Sequence, residues 1–184
     1  AEALRDRGPK RVNPFTVPML MPNAAAGQVA LHLGAWGPSF STASACASAA
    51  DAVGVALDMI RSGRASAMLA GGSEAGILPI CIAGFDSARA LCSSSNDDPT
   101  AASRPFDLDR SGFVLSEGAA ILVLEDEEFA RRRGAVILGE LAGYGAASDG
   151  YHITAPEPEG RGARRAMHAA LRNADATIED VVYV

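Results

Sequence analysis

The sequence predicts an α/β fold, because apolar segments of strand length alternate with segments of helical periodicity. Residues 65–72 and 120–125 are largely apolar, which is typical of strands buried on both faces of a sheet. Apolar residues make up 48% of the 184 residues and charged residues 21%, so the chain can bury a sizeable core. The alternation fits many α/β enzymes and does not by itself identify a function.

The elements are expected in the following order. Residues 7–22 are rich in proline and are expected to form loops. Asn23 can cap a helix over residues 24–34, which the glycine at its end would terminate. Residues 37–44 are predicted to form a short buried strand that leads into the next helix.

That next helix is expected to begin at about Cys46 and to end at Gly63, with Val53, Leu57 and Ile60 at helical spacing. A long polar loop at residues 92–112 has a length that is often functional. The remaining predicted elements are strands at 65–72, 120–125, 136–148 and 181–184 and helices at 79–91, after 125 and at 159–176.

Composition excludes several classes of protein. The net charge of −6 argues against a nucleic-acid binder, because neutralising phosphates requires a surplus of Lys and Arg. Three cysteines without metal-type spacing indicate no disulfide framework and no metal site, and favour a reducing, cytoplasmic location. No apolar run is long enough for a membrane span, so no membrane association is expected. The chain starts at Ala1 and stops on an apolar segment, and we expect it to be a piece of a longer protein.

Cys46 is the strongest candidate for a catalytic residue. Unpaired N–H groups in the first turn of a helix favour a thiolate, which is the nucleophilic form of cysteine. A sharp turn from strand to helix also pushes such a side chain outwards, and free amides there can receive a developing oxyanion. The neighbours of Cys46 are Ala and Ser, which permit a tight turn and leave room for a bulky acyl chain. The alternative is a buried structural cysteine, since free cysteines are often buried.

The segment "GPSFSTASACASAADAV" resembles the active-site segment of the β-ketoacyl-acyl-carrier-protein synthases, the condensing enzymes of fatty-acid and polyketide synthesis. Further segments are similar, in the same order, to the KAS II-like elongating branch of that family. They are "SGRASAMLAGGSEA", "AGFDSARAL", "NDDPTAASRPFDLDRSGFVLSEGAAILVLE" and "GYGAASDGYHITAPEPEG". The resemblance implies an incomplete thiolase-like αβαβα layered fold. Residues 1–134 would be the later part of the N-terminal half, and residues 135–184 the start of the C-terminal half.

The resemblance also implies an activity. Cys46 would accept an acyl group from an acyl-carrier protein, and decarboxylation of malonyl-carrier protein would generate the carbanion that attacks this thioester. The backbone N–H of Cys46 would form half of the oxyanion hole. The substrates would be carried on the phosphopantetheine arm of the carrier protein, with no other cofactor and no metal. The family works as a homodimer.

Three further residues match functional positions of the family. Phe85 aligns with a residue that lines the acyl pocket, and plain core packing is compatible with that role. Thr154 aligns with a position near the pantetheine arm, although its hydroxyl could simply organise the loop before Pro156. Arg89 matches a position that meets the acidic carrier protein, and the alternative is a solvated surface arginine.

The two catalytic histidines of the family are expected beyond Val184, and none of His32, His152 and His168 is expected to replace them. The 184 residues alone are therefore expected not to catalyse condensation. Two rival functions remain open. One is a polyketide-type ketosynthase that uses the same Cys46. The other is a non-catalytic partner of the chain-length-factor type, which lacks the nucleophile.

Overall fold

A computed structural model describes residues 2–184, which contain seven α-helices and two β-strands. The helices are α1 (Glu2–Arg7), α2 (Thr16–Leu20), α3 (Ala24–Leu33), α4 (Ser48–Arg61), α5 (Pro79–Ser87), α6 (Glu127–Arg132) and α7 (Arg161–Asn173). The strands are β1 (Ala67–Glu74) and β2 (Gly118–Glu125). Short 3-10 turns lie at Pro9–Arg11, Ala45–Ala47, Pro99–Ala101 and Ile178–Asp180. Within the described residues, no helix combines the length and the apolar character needed to cross a bilayer.

The chain divides into two compact units. The first contains the chain up to Ala70 together with Leu122–Val184, and the second is Gly71–Ile121. Strands β1 and β2 pair as a two-stranded sheet and contribute residues to both units. The amide of Asp126 donates to the carbonyl of Ser66 at 3.0 Å, and Gly71 lies against Ala120 and Ile121. The partner residue number therefore falls as the number in β1 rises, so the two strands are antiparallel.

Helix α4 is the most deeply packed helix of the first unit, because its buried residues recur at helical spacing: Gly54, Ala56, Leu57 and Met59. Gly63 adopts a φ of 69°, which a glycine tolerates without steric cost, and the amide of Arg64 bonds to the carbonyl of Met59 at 2.9 Å. The sequence-based prediction that Gly63 terminates this helix is confirmed.

Residues 136–148, which were predicted to form a strand, have no assigned strand pairing. The later part of this segment, residues 143–148, lies against α7, where two glycines allow a very close approach. A Cβ at Gly143 would lie 2.6 Å from the carbonyl oxygen of Ala170 and 2.8 Å from the Cβ of Ala174. Two side chains hold the same segment: Asn173 Oδ1 accepts the backbone N–H of Tyr144, and the guanidinium of Arg61 donates to the carbonyl of Ala142. The prediction of a strand is wrong here, because no other strand of the described residues pairs with this segment.

Other boundary predictions need correction in the same way. Residues 37–44 and 181–184, both predicted as strands, have no assigned strand pairing. The proline-rich start contains α2 as well as loops, since Pro18 lies in the first turn of that helix, where its missing N–H costs nothing. Asn23 occupies the N-cap position of α3, but its side chain makes no capping hydrogen bond. Gly34, with a φ of 63°, ends α3 as predicted.

The second unit contains α5 and the polar loop at 92–112. Leu91 and Phe113 form an isolated parallel bridge, in which Cys92 N–H donates to Phe113 O and Phe113 N–H donates to Ala90 O, both at 2.9 Å. Gly112 adopts a φ of 136° and lies so close to this backbone that a Cβ would meet the Cys92 nitrogen at 2.6 Å. A glycine is required there, and it brings the end of the loop back beside Cys92.

Candidate active site

Cys46 lies in the 3-10 turn Ala45–Ala47, directly before the first residue of α4, and it is exposed. The α-helix begins at Ser48, two residues later than the sequence predicted. Ala45 adopts a φ of 51°, a left-handed conformation that costs an L-residue about 1–2 kcal/mol. This reversal of the backbone forms the sharp elbow that carries the thiol. The exposed position of Cys46 among the described residues is compatible with the predicted role of a nucleophile.

Serine and threonine hydroxyls hold the elbow. The amide of Ser44 donates to Ser48 Oγ at 2.8 Å, and the same hydroxyl donates to the carbonyl of Ala45 at 2.8 Å. Thr42 Oγ1 donates to the carbonyl of Ser48, also at 2.8 Å. Hydroxyls close to a helix start often bond to the local backbone in this way, and here they secure the left-handed residue on both sides.

The amide of Cys46 takes part in none of the backbone or side-chain hydrogen bonds found among residues 2–184. It is therefore available to a ligand. A free N–H beside an exposed sulfur is the arrangement that an oxyanion needs when the sulfur attacks a carbonyl carbon. The catalytic role of Cys46 stays a prediction, and the elbow geometry is compatible with it.

Asp51, in the first turn of α4, accepts two side-chain hydrogen bonds. Ser44 Oγ donates to its Oδ2, and the phenolic hydroxyl of Tyr144 donates to its Oδ1. The pKa of Asp51 is lowered by the Ser44 hydroxyl first and by Tyr144 second. The contact with the carboxylate, with a smaller contribution from partial burial, raises the pKa of Tyr144 to about 12. Sequence analysis missed these three residues, since Asp51 and Tyr144 lie 93 positions apart and no local pattern joins them.

Thr154 lies in an exposed loop, residues 147–156, that lines an open cavity of about 740 Å³. The Nδ1 of His152 accepts the backbone N–H groups of Thr154 at 3.2 Å and of Ala155 at 3.0 Å, and it lies 3.5 Å from the hydroxyl of Thr154. This imidazole therefore organises its own loop. The predicted role of Thr154 at the pantetheine arm stays a prediction, and the loop-organising alternative remains open.

The cavity loop is fixed at its end by a buried carboxylate. Glu157 is 7% exposed and accepts the amides of Glu159 at 3.1 Å and Arg161 at 2.9 Å. The guanidinium of Arg161 pairs with the same carboxylate at 2.7 Å, and Asp149 Oδ2 accepts the amide of Glu157 at 3.0 Å. These contacts join the loop to the start of α7.

Phe85 and Arg89 belong to the second unit. Phe85, in α5, is 42% exposed and packs edge-to-face on Phe113, with ring centroids 5.1 Å apart. Arg89 follows α5 with a φ of 55°, and its side chain is exposed. Cys46 and Thr154 lie in the first unit, and no hydrogen bond joins their side chains among the described residues. The roles predicted for Phe85 and Arg89 stay predictions.

No group of three or more His, Cys, Asp or Glu side chains within residues 2–184 is arranged to hold a metal ion. The three cysteines are free thiols. The chemically active groups near the elbow are therefore a thiol, an unpaired amide and a hydrogen-bonded Ser44–Asp51–Tyr144 cluster.

Comparison with known families gives two adjacent matches. Residues 1–130 match the model of the beta-ketoacyl synthase N-terminal domain, and residues 138–184 match that of the C-terminal domain. A curated relative, 3-oxoacyl-[acyl-carrier-protein] synthase 2 of Synechocystis, is 52% identical over 181 residues. That alignment covers 98% of this chain and 43% of the relative, so the chain spans less than half the length of the curated relative that it matches.

Two solved structures are similar throughout the chain. One is a type II polyketide-synthase acyl-carrier protein in complex with its ketosynthase bound to the hexaketide. It is 38% identical with a TM-score of 0.89, and the match covers 94% of this chain and 42% of that one. The other is a beta-ketoacyl synthase from Burkholderia phymatum. It is 39% identical with a TM-score of 0.89, and the match covers 98% of this chain and 43% of that one. The thiolase-like ketosynthase fold expected from the sequence is thereby confirmed.

Proposed function

Because the chain belongs to the beta-ketoacyl synthase family, we propose that Cys46 carries the acyl group in a decarboxylative condensation with malonyl-acyl-carrier protein during fatty-acid elongation. The observation that carries this proposal is the exposed thiol on the elbow before α4, beside an unpaired amide. The identity of 52% to a curated 3-oxoacyl-[acyl-carrier-protein] synthase 2 supports the fatty-acid pathway.

The first step is acyl transfer. The thiolate of Cys46 attacks the carbonyl carbon of the acyl thioester, a new C–S bond forms, and the bond to the carrier sulfur breaks. The amide of Cys46 would hydrogen-bond to the oxygen that becomes negative in the tetrahedral intermediate. The departing carrier thiolate then takes up a proton. Exposure of the sulfur allows the bulky carrier protein to deliver its substrate.

The second step forms the carbon–carbon bond. Malonyl-carrier protein loses carbon dioxide, and the electron pair of the broken C–C bond forms a new bond to the carbonyl carbon of the Cys46 thioester. The Cys46 sulfur leaves as a thiolate, which regenerates the enzyme. We assign to Cys46 the nucleophile and leaving-group roles in this sequence, and we assign no proton transfer to His152, whose ring is bonded to its own loop.

Acyl-carrier protein is the proposed partner. The similar ketosynthase structure in complex with an acyl-carrier protein supports this assignment. We propose Arg89 as a carrier contact, because its guanidinium is exposed and suits acidic side chains. Thr154 is proposed to meet the phosphopantetheine arm in the open cavity of its loop, and Phe85 to line the acyl pocket. We also propose that the full-length protein forms a homodimer and is located in the cytoplasm. The three free thiols suit a reducing compartment.

A polyketide-type ketosynthase is the second candidate, favoured by the structural similarity to a polyketide ketosynthase at a TM-score of 0.89. The lower identity to that protein, 38% against 52%, places it second. A chain-length-factor type of partner lacks the nucleophile and is disfavoured by the exposed Cys46.

The decisive experiment is acyl loading of the full-length protein from a saturated acyl-carrier protein, followed by trypsin digestion and mass spectrometry. Each cysteine falls in a separate tryptic peptide, because cleavage after Lys and Arg, except at the Arg104–Pro105 bond, gives residues 12–61, 65–89 and 90–110. We expect the acyl mass on peptide 12–61 of the wild type and of Cys81→Ala, and its loss in Cys46→Ala.

An acyl mass that remains on the protein after Cys46→Ala would refute the nucleophile assignment. Absence of loading in the wild type would favour a non-catalytic partner. Condensation products that accumulate several keto groups, in place of a single 3-oxoacyl product per cycle, would favour the polyketide candidate.

A further inference from the structure

Asp51 connects the elbow to a segment that is distant in sequence. One carboxylate oxygen accepts the hydroxyl of Ser44, two residues before Cys46, and the other accepts the hydroxyl of Tyr144. We propose that Ser44, Asp51 and Tyr144 are positioning residues, which hold the Cys46 elbow in the geometry that accepts an acyl group. This inference rests on the proposed function, because it concerns the efficiency of acyl loading at Cys46.

The elbow needs such support because its backbone is not in a preferred conformation. Ala45 has a φ of 51°, and residues without a glycine's freedom hold this conformation only where their surroundings impose it. The residue on one side, Ser44, is bonded through its amide to Ser48 and through its hydroxyl to Asp51. Losing the Asp51 contact releases one side of Ala45 and allows the Cys46 amide and sulfur to move together.

Tyr144 is itself firmly held. Its amide donates to Asn173 Oδ1 at 3.0 Å, and its ring lies directly on the α-carbon of Gly54. The guanidinium of Arg61 bonds to Asn173 Oδ1 at 3.0 Å and to the carbonyl of Ala142 at 2.7 Å. The phenol therefore reaches Asp51 from a position fixed by both α4 and α7, which makes it a rigid anchor.

The cluster keeps one protonation state through the neutral range. The pKa of Asp51 is lowered by its two hydroxyl donors, first Ser44, and the pKa of Tyr144 is raised to about 12 by the carboxylate. Asp51 remains an acceptor and Tyr144 a donor, so the cluster positions the elbow and transfers no proton.

The test compares two reactions of Cys46 in the full-length protein. Acylation by acyl-carrier protein requires aligned sulfur and amide, whereas alkylation by iodoacetamide requires only an exposed thiolate. In Tyr144→Phe and Ser44→Ala we expect the acylation rate to fall by about tenfold or more, because small displacements are costly in oriented reactions. We expect the alkylation rate at peptide 12–61 to change by less than about twofold.

The matched control is Asp58→Asn, which removes the same charge as Asp51→Asn from an exposed position on the same helix. We expect Asp51→Asn to lower acylation and Asp58→Asn to leave it unchanged. Ser44→Thr keeps the hydroxyl and should retain loading, which separates loss of the hydrogen bond from loss of folding.

The outcomes are distinguishable. If the wild type is loaded and Tyr144→Phe and Ser44→Ala are loaded at the same rate, the positioning inference is wrong and the proposed function stands. If Asp51→Asn accelerates loading, Asp51 acts through its charge and the inference is also wrong. If the wild type is not loaded at all, the proposed function itself fails.

Discussion

At the scale of single residues, the thiol of Cys92 has an environment different from that of Cys46. Its sulfur lies 3.2 Å from the hydroxyl of Ser111, and the side chain is half-buried. The hydrogen bond from Ser111 first, and that from Ser95 second, lower the pKa of Cys92 from 9.0 to about 7. This thiol is therefore expected to be largely ionised at slightly alkaline pH, and it will react with the same reagents as Cys46.

We predict that alkylation of Cys92, followed on tryptic peptide 90–110, has an apparent midpoint near pH 7. Ser111→Ala removes the principal hydrogen bond to the thiolate, so the midpoint should move upward, toward 9.0. Ser93→Ala is the control, because within residues 2–184 the Ser93 hydroxyl makes no hydrogen bond to this sulfur. A midpoint near 9.0 in the wild type would contradict the prediction.

The sequence located the elbow residue correctly and missed what secures it. The exposed position of Cys46 follows from a local signal, namely small residues before an amphipathic helix. The contact between Asp51 and Tyr144 depends on the packing of α4 against residues 136–148, which no local spacing encodes. The environment of a side chain can therefore be predicted from the sequence only where the residues that contact it are close to it in the chain.

At the scale of elements, α3, α4 and α7 were predicted because a helix satisfies its hydrogen bonds within its own segment. The segment 136–148 was predicted as a strand because apolar runs indicate burial and not the identity of the neighbour. A strand also requires a paired partner, and Gly143 and Gly145 instead allow this segment to lie against α7. The two glycines were the only local sign of that close approach.

The N-terminus of α7 provides the prediction at this scale. Glu157 is 7% exposed, and its pKa is lowered, first by the amide of Arg161. A folded-state pKa below the unfolded value of 4.5 contributes stability that is present above pH 4.5 and is lost as the pH falls through the folded-state pKa. In the full-length protein, Glu157→Gln should therefore lower Tm at pH 7, and this difference should shrink at about pH 3.5.

The control for this prediction is Glu159→Gln, whose side chain is 73% exposed and pairs with Arg161 only at 3.7 Å. It should leave Tm nearly unchanged at both pH values, since exposed ion pairs contribute little. If the two variants lower Tm by the same amount at neutral pH, the start of α7 is not stabilised by the buried carboxylate of Glu157.

At the scale of the whole molecule, the buried apolar core of the described residues is small. Its members are mostly alanines: Ala56, Leu57, Met59, Ala70, Ala102 and Ala130. Large apolar side chains are exposed at the same time, among them Trp36 at 97%, Phe106 at 100% and Val182 at 99%. So much exposed apolar surface is characteristic of surfaces that bind another protein segment.

We predict that the 184-residue polypeptide expressed alone binds the hydrophobic dye ANS and melts without a cooperative transition. The physical reason is that its buried apolar area is too small to offset the conformational entropy of folding. Dye fluorescence and a circular-dichroism melt, with the full-length protein as the control, measure both properties. A sharp melt without dye binding would contradict the prediction.

The Tyr144 ring occupies the volume that any side chain at residue 54 would need, because a Cβ there would overlap the atoms of the ring. These two positions therefore cannot vary independently. A descendant that gains a methyl group at 54 must give up the aromatic ring at 144, and with it the anchor of the elbow. The missing side chain of Gly54 thus limits which substitutions the surroundings of the Cys46 sulfur can accept.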